Sequence, residues 1–428
     1  MQYTINTKFP ENNSVSIAPA KPEAAAPPPT PVQPQIYGDM PEEPTQNLGD
    51  GILFDFNCGC RMKFPDNGKE YRLVLKDADS ALVVFAADVT PGAFIVSVKK
   101  FFVRFRIEVY PKGSDELLYS HEYDAAGKTV VVQLPPGTLG DSIAWFSYVE
   151  RFQQMTGCKL VCAMSRKIAD IFEKQYPGIK FVTTEEVKNY RPYACYLLGL
   201  FFRGNVDNQP LDFRYIGLHR TAGRILGVPD ASDLPPRVDL SAPRRITEKY
   251  VCIATQASSQ CKYWNNPWGW DKVIEHLKKL GFRVLCIDRD RVCGSGLVWN
   301  HIPQGAEDFT GDLPLQERID LIKDAAAFIG LSSGLSWLAW CCRVPVVMIS
   351  GFTEAENEFY TPYRVINYHA CHGCWNDMRE NFDHFDYLWC PRHKGTNRHF
   401  ECTRLITPEQ VIRILNRIPT LNHKGNSR

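Results

Sequence analysis

The stretch that most constrains this chain is residues 130–145, VVVQLPPGTLGDSIAW. A β-branched run, Val130-Val131-Val132, stops at Pro135-Pro136, passes Gly137 and Gly140, and opens a helical pattern whose first residues are Asp141 and Ser142. β-Branched residues favour strands, and Pro ends them. In open α/β sheets ligands bind outside the carboxyl ends of the strands, so a side chain at such a turn faces a crevice. Asp141 is therefore a candidate catalytic carboxylate. Asp is also a favoured helix N-cap, and position alone leaves both roles open.

The same rhythm continues downstream. The pattern predicts a helix over residues 141–155, with Ile143, Phe146, Val149 and Phe152 on one face, and a strand over 159–164. A helix over 166–176, strands over 180–183 and 193–201, and a helix over 215–226 follow. Residues 228–247, with Pro229, Pro235, Pro236 and Pro243, read as an interdomain linker. A second strand–helix series begins behind it. Its strands are KYVCIAT, FRVLCID, AAFIGL and VPVVMIS; its helices cover 267–279, 314–326 and 335–342, and a last helix is opened by Thr407-Pro408. Parallel sheets covered by helices follow from this texture.

Before Leu134 the texture differs. Short runs such as ILFDFN, YRLVLKD, FFVRFRIEVYP and TVVVQL, punctuated by Asn67-Gly68, Pro91-Gly92 and Lys112-Gly113, predict a small all-β sandwich or barrel. Residues 1–49, with KPEAAAPPPTPVQPQ at their centre, lack an aliphatic pattern and predict a disordered Pro-rich tail. The expected organisation is thus a tail over 1–49, a β domain over 50–134, and Rossmann-like α/β domains over 135–245 and 246–428. Two such domains facing each other describe the GT-B glycosyltransferases and the bilobal dehydrogenases; the missing G-x-G-x-x-G weakens the second.

The 428 residues carry a formal net charge of +1, 44% apolar and 23% charged residues. No basic block favours nucleic acid, and no run is long and apolar enough to span a bilayer. A cytoplasmic protein is expected. Fifteen cysteines without a secretion signal argue for reduced thiols, some of them metal ligands. Cys252, Cys286, Cys341 and Cys342 sit in apolar runs and read as core; Cys58-Gly59-Cys60 could ligate a metal, but with no second pair nearby reads better as two strand or turn thiols. Cys371-His372-Gly373-Cys374, then Cys390 and Cys402, match four thiolates around one metal within an otherwise irregular segment, 371–402. Zinc and iron both suit four sulfurs, zinc being the commoner. Four protein ligands leave no open position, so the role is structural.

Two loops suit an anion. Ser332-Ser333-Gly334-Leu335-Ser336 joins a strand to a helix, where backbone N–H groups and the helix dipole favour a diphosphate or simply a Ser-capped helix. Lys262, at the carboxyl end of the first strand of the second series, offers a point charge to a phosphate. Trp264, Trp268 and Trp270 could wall a sugar or base. Asp288, at the end of the next strand, is placed to bond ribose hydroxyls, and Asp290 beside it equally so.

Taken together, residues 137–142 (GTLGDS), the Lys262 loop, residues 332–336 and the four-cysteine segment resemble the bacterial autotransporter heptosyltransferases, relatives of the lipopolysaccharide heptosyltransferases. The resemblance covers residues 51–418. It implies a GT-B enzyme that transfers heptose from ADP-heptose to Ser hydroxyls of an autotransporter adhesin passenger, by an inverting displacement with no catalytic metal. It implies Asp141 as general base, Thr138, Leu139 and Gly140 against the substrate, and Lys262 with Ser332, Ser333, Gly334, Leu335 and Ser336 on the ADP-sugar. It implies structural iron on Cys371, Cys374, Cys390 and Cys402, and a homo-oligomer, a ring-like dodecamer. Lipopolysaccharide heptosyltransferases commonly have Asp where this chain has Ser332. The alternatives are another nucleotide-sugar transferase, such as a lipopolysaccharide heptosyltransferase, and a non-enzymatic metal-stapled scaffold.

Overall fold

The computed structural model describes residues 37–202, 206–229 and 234–422. The Pro-rich run of the expected tail, residues 1–36, lies outside them. Residues 37–49 are built into the fold. Gln46–Gly49 is a strand antiparallel to Ile52–Asn57, and the Tyr37 hydroxyl donates to the Leu198 carbonyl at 2.8 Å. A buried ion pair holds this segment: Arg61 binds Asp55 through Nε and Nη2, each at 2.7 Å, and also donates to the Pro41 carbonyl. Burying Arg61 and Asp55 demands such partners, and the backbone of the segment supplies them.

The first α/β sheet runs in the order Ile179–Val182, Lys159–Ala163, Thr129–Gln133, Ala194–Leu197, Ile52–Asn57, all parallel. Arg61–Lys63 and Phe94–Val96 continue it in antiparallel fashion. A second, four-stranded antiparallel sheet, ordered Val83–Val89, Tyr71–Asp77, Phe105–Pro111, Tyr119–Glu122, stacks on this end through Phe54, Phe56, Phe105 and Tyr123. The expected boundary at 134/135 therefore cuts through one sheet. Thr129–Gln133, on its near side, lies between two strands from the far side, because a parallel sheet pairs strands distant in sequence.

The second lobe is a six-stranded parallel sheet ordered Glu307–Asp308, Arg283–Cys286, Tyr250–Ile253, Phe328–Leu331, Val346–Ile349, Arg364–Val365. The helices Gly269–Lys279, Leu315–Ile322, Gly334–Cys341 and Pro408–Leu415 accompany it. Thr407 caps the last one by a reciprocal bond with Gln410. The described part of the linker carries no helix or strand and is fastened to both lobes. Arg237 donates its N–H to the Tyr176 hydroxyl, and Arg245 pairs with Asp320 at 2.9 Å. This is the two-Rossmann GT-B architecture, with a β-rich N-terminal region.

Three elements differ from the pattern. The helix Leu139–Thr156 is buried on more than its Ile143/Phe146/Val149/Phe152 face: Ser142, Ala144, Trp145, Ser147 and Tyr148 are buried as well. Trp145 Nε1 donates to Leu218 O at 3.0 Å, and a Cβ on Gly223 would meet the Tyr148 ring at 2.5 Å, so a second helix covers its other side. That covering element splits into Phe213–Ile216 and Leu218–Leu226 at Gly217, whose φ is +85° and whose absent Cβ leaves room for the Glu356 carbonyl. The expected helix over 166–176 stays α-helical only over Arg166–Ala169. Tighter turns follow, which bring Phe172 and Tyr176 together onto Phe146.

Candidate functional site

The two lobes meet where two glycines face each other. A Cβ on Gly140 would stand 3.0 Å from Trp337 Cδ1 and 3.4 Å from Gly334 Cα; one on Gly334 would stand 2.8 Å from Leu139 Cβ and 3.1 Å from Gly140 N. Only residues without side chains permit this approach. It lays the start of the helix Leu139–Thr156 against the start of Gly334–Cys341.

Asp141 sits at this seam, in the first turn of its helix. The N-cap is Thr138, whose Oγ1 accepts the Asp141 N–H at 3.4 Å. The cap role is thus filled by another residue, and the Asp141 carboxylate is half-buried at the crevice. Burial pushes its pKa above the usual carboxylate value. Thr138, Lys262 and His384 pull it back down, the last two from the second lobe. Asp141 and Lys262, far apart in sequence, are brought within electrostatic reach. Lys262 Nζ lies 3.3 Å from Ser258 Oγ and 5.4 Å from the centroid of the Phe352 ring.

The loop 332–336 divides into two kinds of residue. Ser336 is fully buried and its hydroxyl donates to Leu331 O at 2.6 Å. The Ser332 hydroxyl donates to Oε1 of Glu358, a buried carboxylate that pairs with Arg364 at 2.8 Å and accepts from Asn357 Nδ2 at 3.0 Å. The expected ligand role of the Ser336 side chain is therefore corrected, since its buried hydroxyl is committed to shaping the loop; the half-buried Ser332 hydroxyl also ties the loop, through Glu358. Ser333 is the N-cap of its helix with no side-chain cap bond, and Gly334 and Leu335 open the first turn, where N–H groups lack intrahelical acceptors.

Asp288 is likewise taken up by its own lobe. It is buried, and its carboxylate accepts the Thr255 N–H at 2.8 Å, the Thr255 hydroxyl at 2.9 Å and the Gln256 N–H at 3.2 Å. Burial raises its pKa against these bonds. In place of the expected ribose contact, Asp288 pins the loop that leads to Lys262. Of the three tryptophans, Trp264 is buried and donates to Ile406 O at 2.9 Å, and Trp270 packs edge-on against it. Both belong to the lobe core; Trp268 is exposed.

All fifteen cysteines are free thiols. Cys374 and Cys390 pack with Phe352, Trp389 and Phe400 in one cluster, with Cys371 at its edge. Burial pushes the Cys374 thiol up to about 12, and the nearby Cys371 and Cys390 add to it while Arg392 opposes. Cys402 is raised by burial and by Cys374, Cys390, Cys261 and Cys371. The four predicted cysteines thus share one neighbourhood, and Cys261, which the sequence reading missed, joins them. Soft sulfur donors behind an aromatic wall fit a thiophilic metal, whose charge would relieve the mutual repulsion of thiolates. Among the described residues, a different set of ligand atoms, those of Cys371, His393 and Glu401, lies within 4.8 Å of one another. Glu401 is committed to Arg398 and to the Cys371 N–H at 3.0 Å, which hold its carboxyl down at about 2. Arg392 Nη1 stands 3.6 Å from Cys371 Sγ. Beside this cluster a cavity of about 370 Å³ is lined by Glu354, Cys371, His372, Asp377 and Arg392.

Glu358 and His384 are further residues that sequence reading missed. Each lies in an irregular stretch, where periodicity carries no signal.

Two family models match the chain: the N-terminal domain of glycosyltransferase TibC over residues 49–113 and glycosyltransferase family 9 (heptosyltransferase) over residues 230–380. The autotransporter heptosyltransferase TibC of Escherichia coli O78:H11 is 54% identical over 378 residues, 88% of this chain and 92% of its own length. The crystal structure of dodecameric iron-containing heptosyltransferase TibC in complex with ADP-D-β-D-heptose superposes with a TM-score of 0.86 at 53% identity, covering 90% of this chain and 100% of that one. A relative described as inactive, the autotransporter heptosyltransferase BimC of Burkholderia thailandensis, is 40% identical over 88% of each chain. With two Rossmann-like lobes meeting at Gly140 and Gly334 and a relative this similar over nearly its whole length, the chain belongs to the autotransporter heptosyltransferases of glycosyltransferase family 9.

Proposed function

We propose that this protein transfers heptose from ADP-heptose to Ser hydroxyls of an autotransporter adhesin passenger. The acceptor oxygen attacks the anomeric carbon and its proton passes to the Asp141 carboxylate. The bond from that carbon to the diphosphate oxygen breaks, and ADP leaves with the electron pair. Lys262 Nζ and the N–H groups at Ser333, Gly334 and Leu335 stabilise the charge that develops on it. Thr138, Leu139 and Gly140 position Asp141 against the substrate, while Ser332, Ser336 and Asp288 hold the donor loops in shape. These groups supply the positive charge that the leaving group requires, so the reading includes no catalytic metal.

The observation that carries this reading is that Asp141, from the first lobe, stands within electrostatic reach of Lys262, from the second. A raised carboxyl pKa suits a base, and the ADP-heptose complex of TibC supports the donor. Iron, named for TibC, is assigned here to Cys371, Cys374, Cys390 and Cys402, with zinc as the alternative. Bound there, it would supply a structural clamp for the segment 371–402. A dodecameric homo-oligomer is proposed on the same likeness. No described helix is long and apolar enough to cross a membrane; the cytoplasmic location is proposed because the adhesin is modified before export.

Mass spectrometry of an autotransporter passenger co-expressed with this protein tests the reading. An increment of one heptose per modified Ser is expected. A hexose increment overturns the donor assignment. An unmodified passenger beside intact oligomers places the chain with its inactive relative, as a scaffold.

A further inference from the structure

The segment that carries the cysteines also reaches the crevice. Between Cys374 and Cys390 it passes through His384, which is exposed. The His384 ring meets Phe382 edge-on, with centroids 4.7 Å apart, and Phe382 packs on Phe352 at 5.6 Å and Trp389 at 5.0 Å. Lys262 Nζ lies over the same Phe352 ring. Lys262 and His384 are therefore mounted on neighbouring rings of one aromatic cluster. Asp383 Oδ1 fixes the turn by accepting the Phe385 N–H at 2.9 Å. The charged groups that act on His384 are Lys262, Asp383 and Asp141.

We propose that His384 contacts the sugar of the nucleotide-sugar donor, its imidazole hydrogen-bonding the sugar between the Asp141 carboxylate and the Lys262 ammonium. This rests on the proposed function. In an in-line displacement the base and the departing diphosphate stand on opposite sides of the carbon that changes partners. A side chain within electrostatic range of both groups, as His384 is, lies near the sugar. Partial desolvation against the neighbouring rings and the Lys262 charge lower the imidazole pKa, which favours its neutral form. A neutral imidazole offers one N–H donor and one nitrogen acceptor, which matches sugar hydroxyls and adds no charge to compete with Lys262. The metal-bearing segment thus contributes a side chain to the active crevice as well as a staple.

Calorimetric titration of the full-length assembled protein with ADP-heptose and, separately, with ADP tests the contact. Particle size and metal content are measured on the same samples. His384→Ala is expected to weaken ADP-heptose binding by up to about tenfold, the worth of one or two hydrogen bonds, and to leave ADP binding unchanged. His384→Gln, which keeps a donor and an acceptor, is expected to recover part of the loss. Equal weakening of both ligands, unchanged affinity for both, or a loss that tracks lost metal overturns the contact. A wild-type protein that binds ADP but not ADP-heptose overturns the proposed function instead.

Discussion

At the scale of single residues, the chemistry turns on how Asp141 is held. Its carboxyl is raised by burial and lowered by Thr138, Lys262 and His384. Asp141→Asn is expected to cut transfer by about 10²–10⁴-fold while ADP-heptose binding persists, measured by turnover and calorimetry. A raised carboxyl pKa means that the folded state holds its proton more tightly than the unfolded chain. Stability is then lost as pH rises from the ordinary value through the raised one, so the Asn variant is expected to melt at or above the wild-type temperature at pH 7. The proposed base acts in its ionised form, so activity is expected to fall as pH drops through the Asp141 pKa. Lys262→Met removes one of the influences that lower it. The acid limb of kcat at saturating donor is expected to move to higher pH, and an unmoved limb separates Lys262 from Asp141.

At the scale of elements, the crevice is set by a close approach of two helix starts and by a buried tie behind one loop. Gly334→Ala would set a Cβ 2.8 Å from Leu139 Cβ, in a place where backbone must shift. Overpacking of this kind costs about 1–3 kcal/mol, read by denaturant unfolding, together with weaker ADP binding. Glu358 anchors Ser332 while pairing with Arg364, and both charged side chains are nearly inaccessible. Glu358→Gln leaves a buried guanidinium without its counter-ion, and removing one partner of such a pair costs about 3–5 kcal/mol. The expected result is a lower unfolding midpoint and weaker ADP binding from a loosened loop.

At the scale of the whole molecule, the cysteine segment packs through Phe352 against the side of the second lobe that carries Lys262. Cys261 precedes Lys262 and lies near Cys390 and Cys402, so the proposed metal site backs onto the loop that carries Lys262. Cys390→Ser is expected to lower metal content per chain and ADP-heptose affinity together, measured by elemental analysis and calorimetry on the same sample. Full affinity at zero metal would uncouple the two.

Much of this was legible in order along the chain. The alternation of β-branched runs with apolar helical spacing determined two α/β sheets with parallel cores, since those periods leave few other ways to bury both faces. The Val130–Trp145 stretch put Asp141 at a strand's carboxyl end, and the cysteine spacing marked its segment. What sequence could not decide depended on which distant residues share one place. The pairing of Ile52–Asn57 with Ala194–Leu197 joined the expected β domain to the first sheet. Tertiary contacts decided that Ser332, Ser336 and Asp288 hydrogen-bond to neighbouring protein groups. Local pattern carries the period of an element but not its partner. Only the tertiary structure, by closing Gly140 onto Gly334, set Asp141 opposite Lys262 and His384.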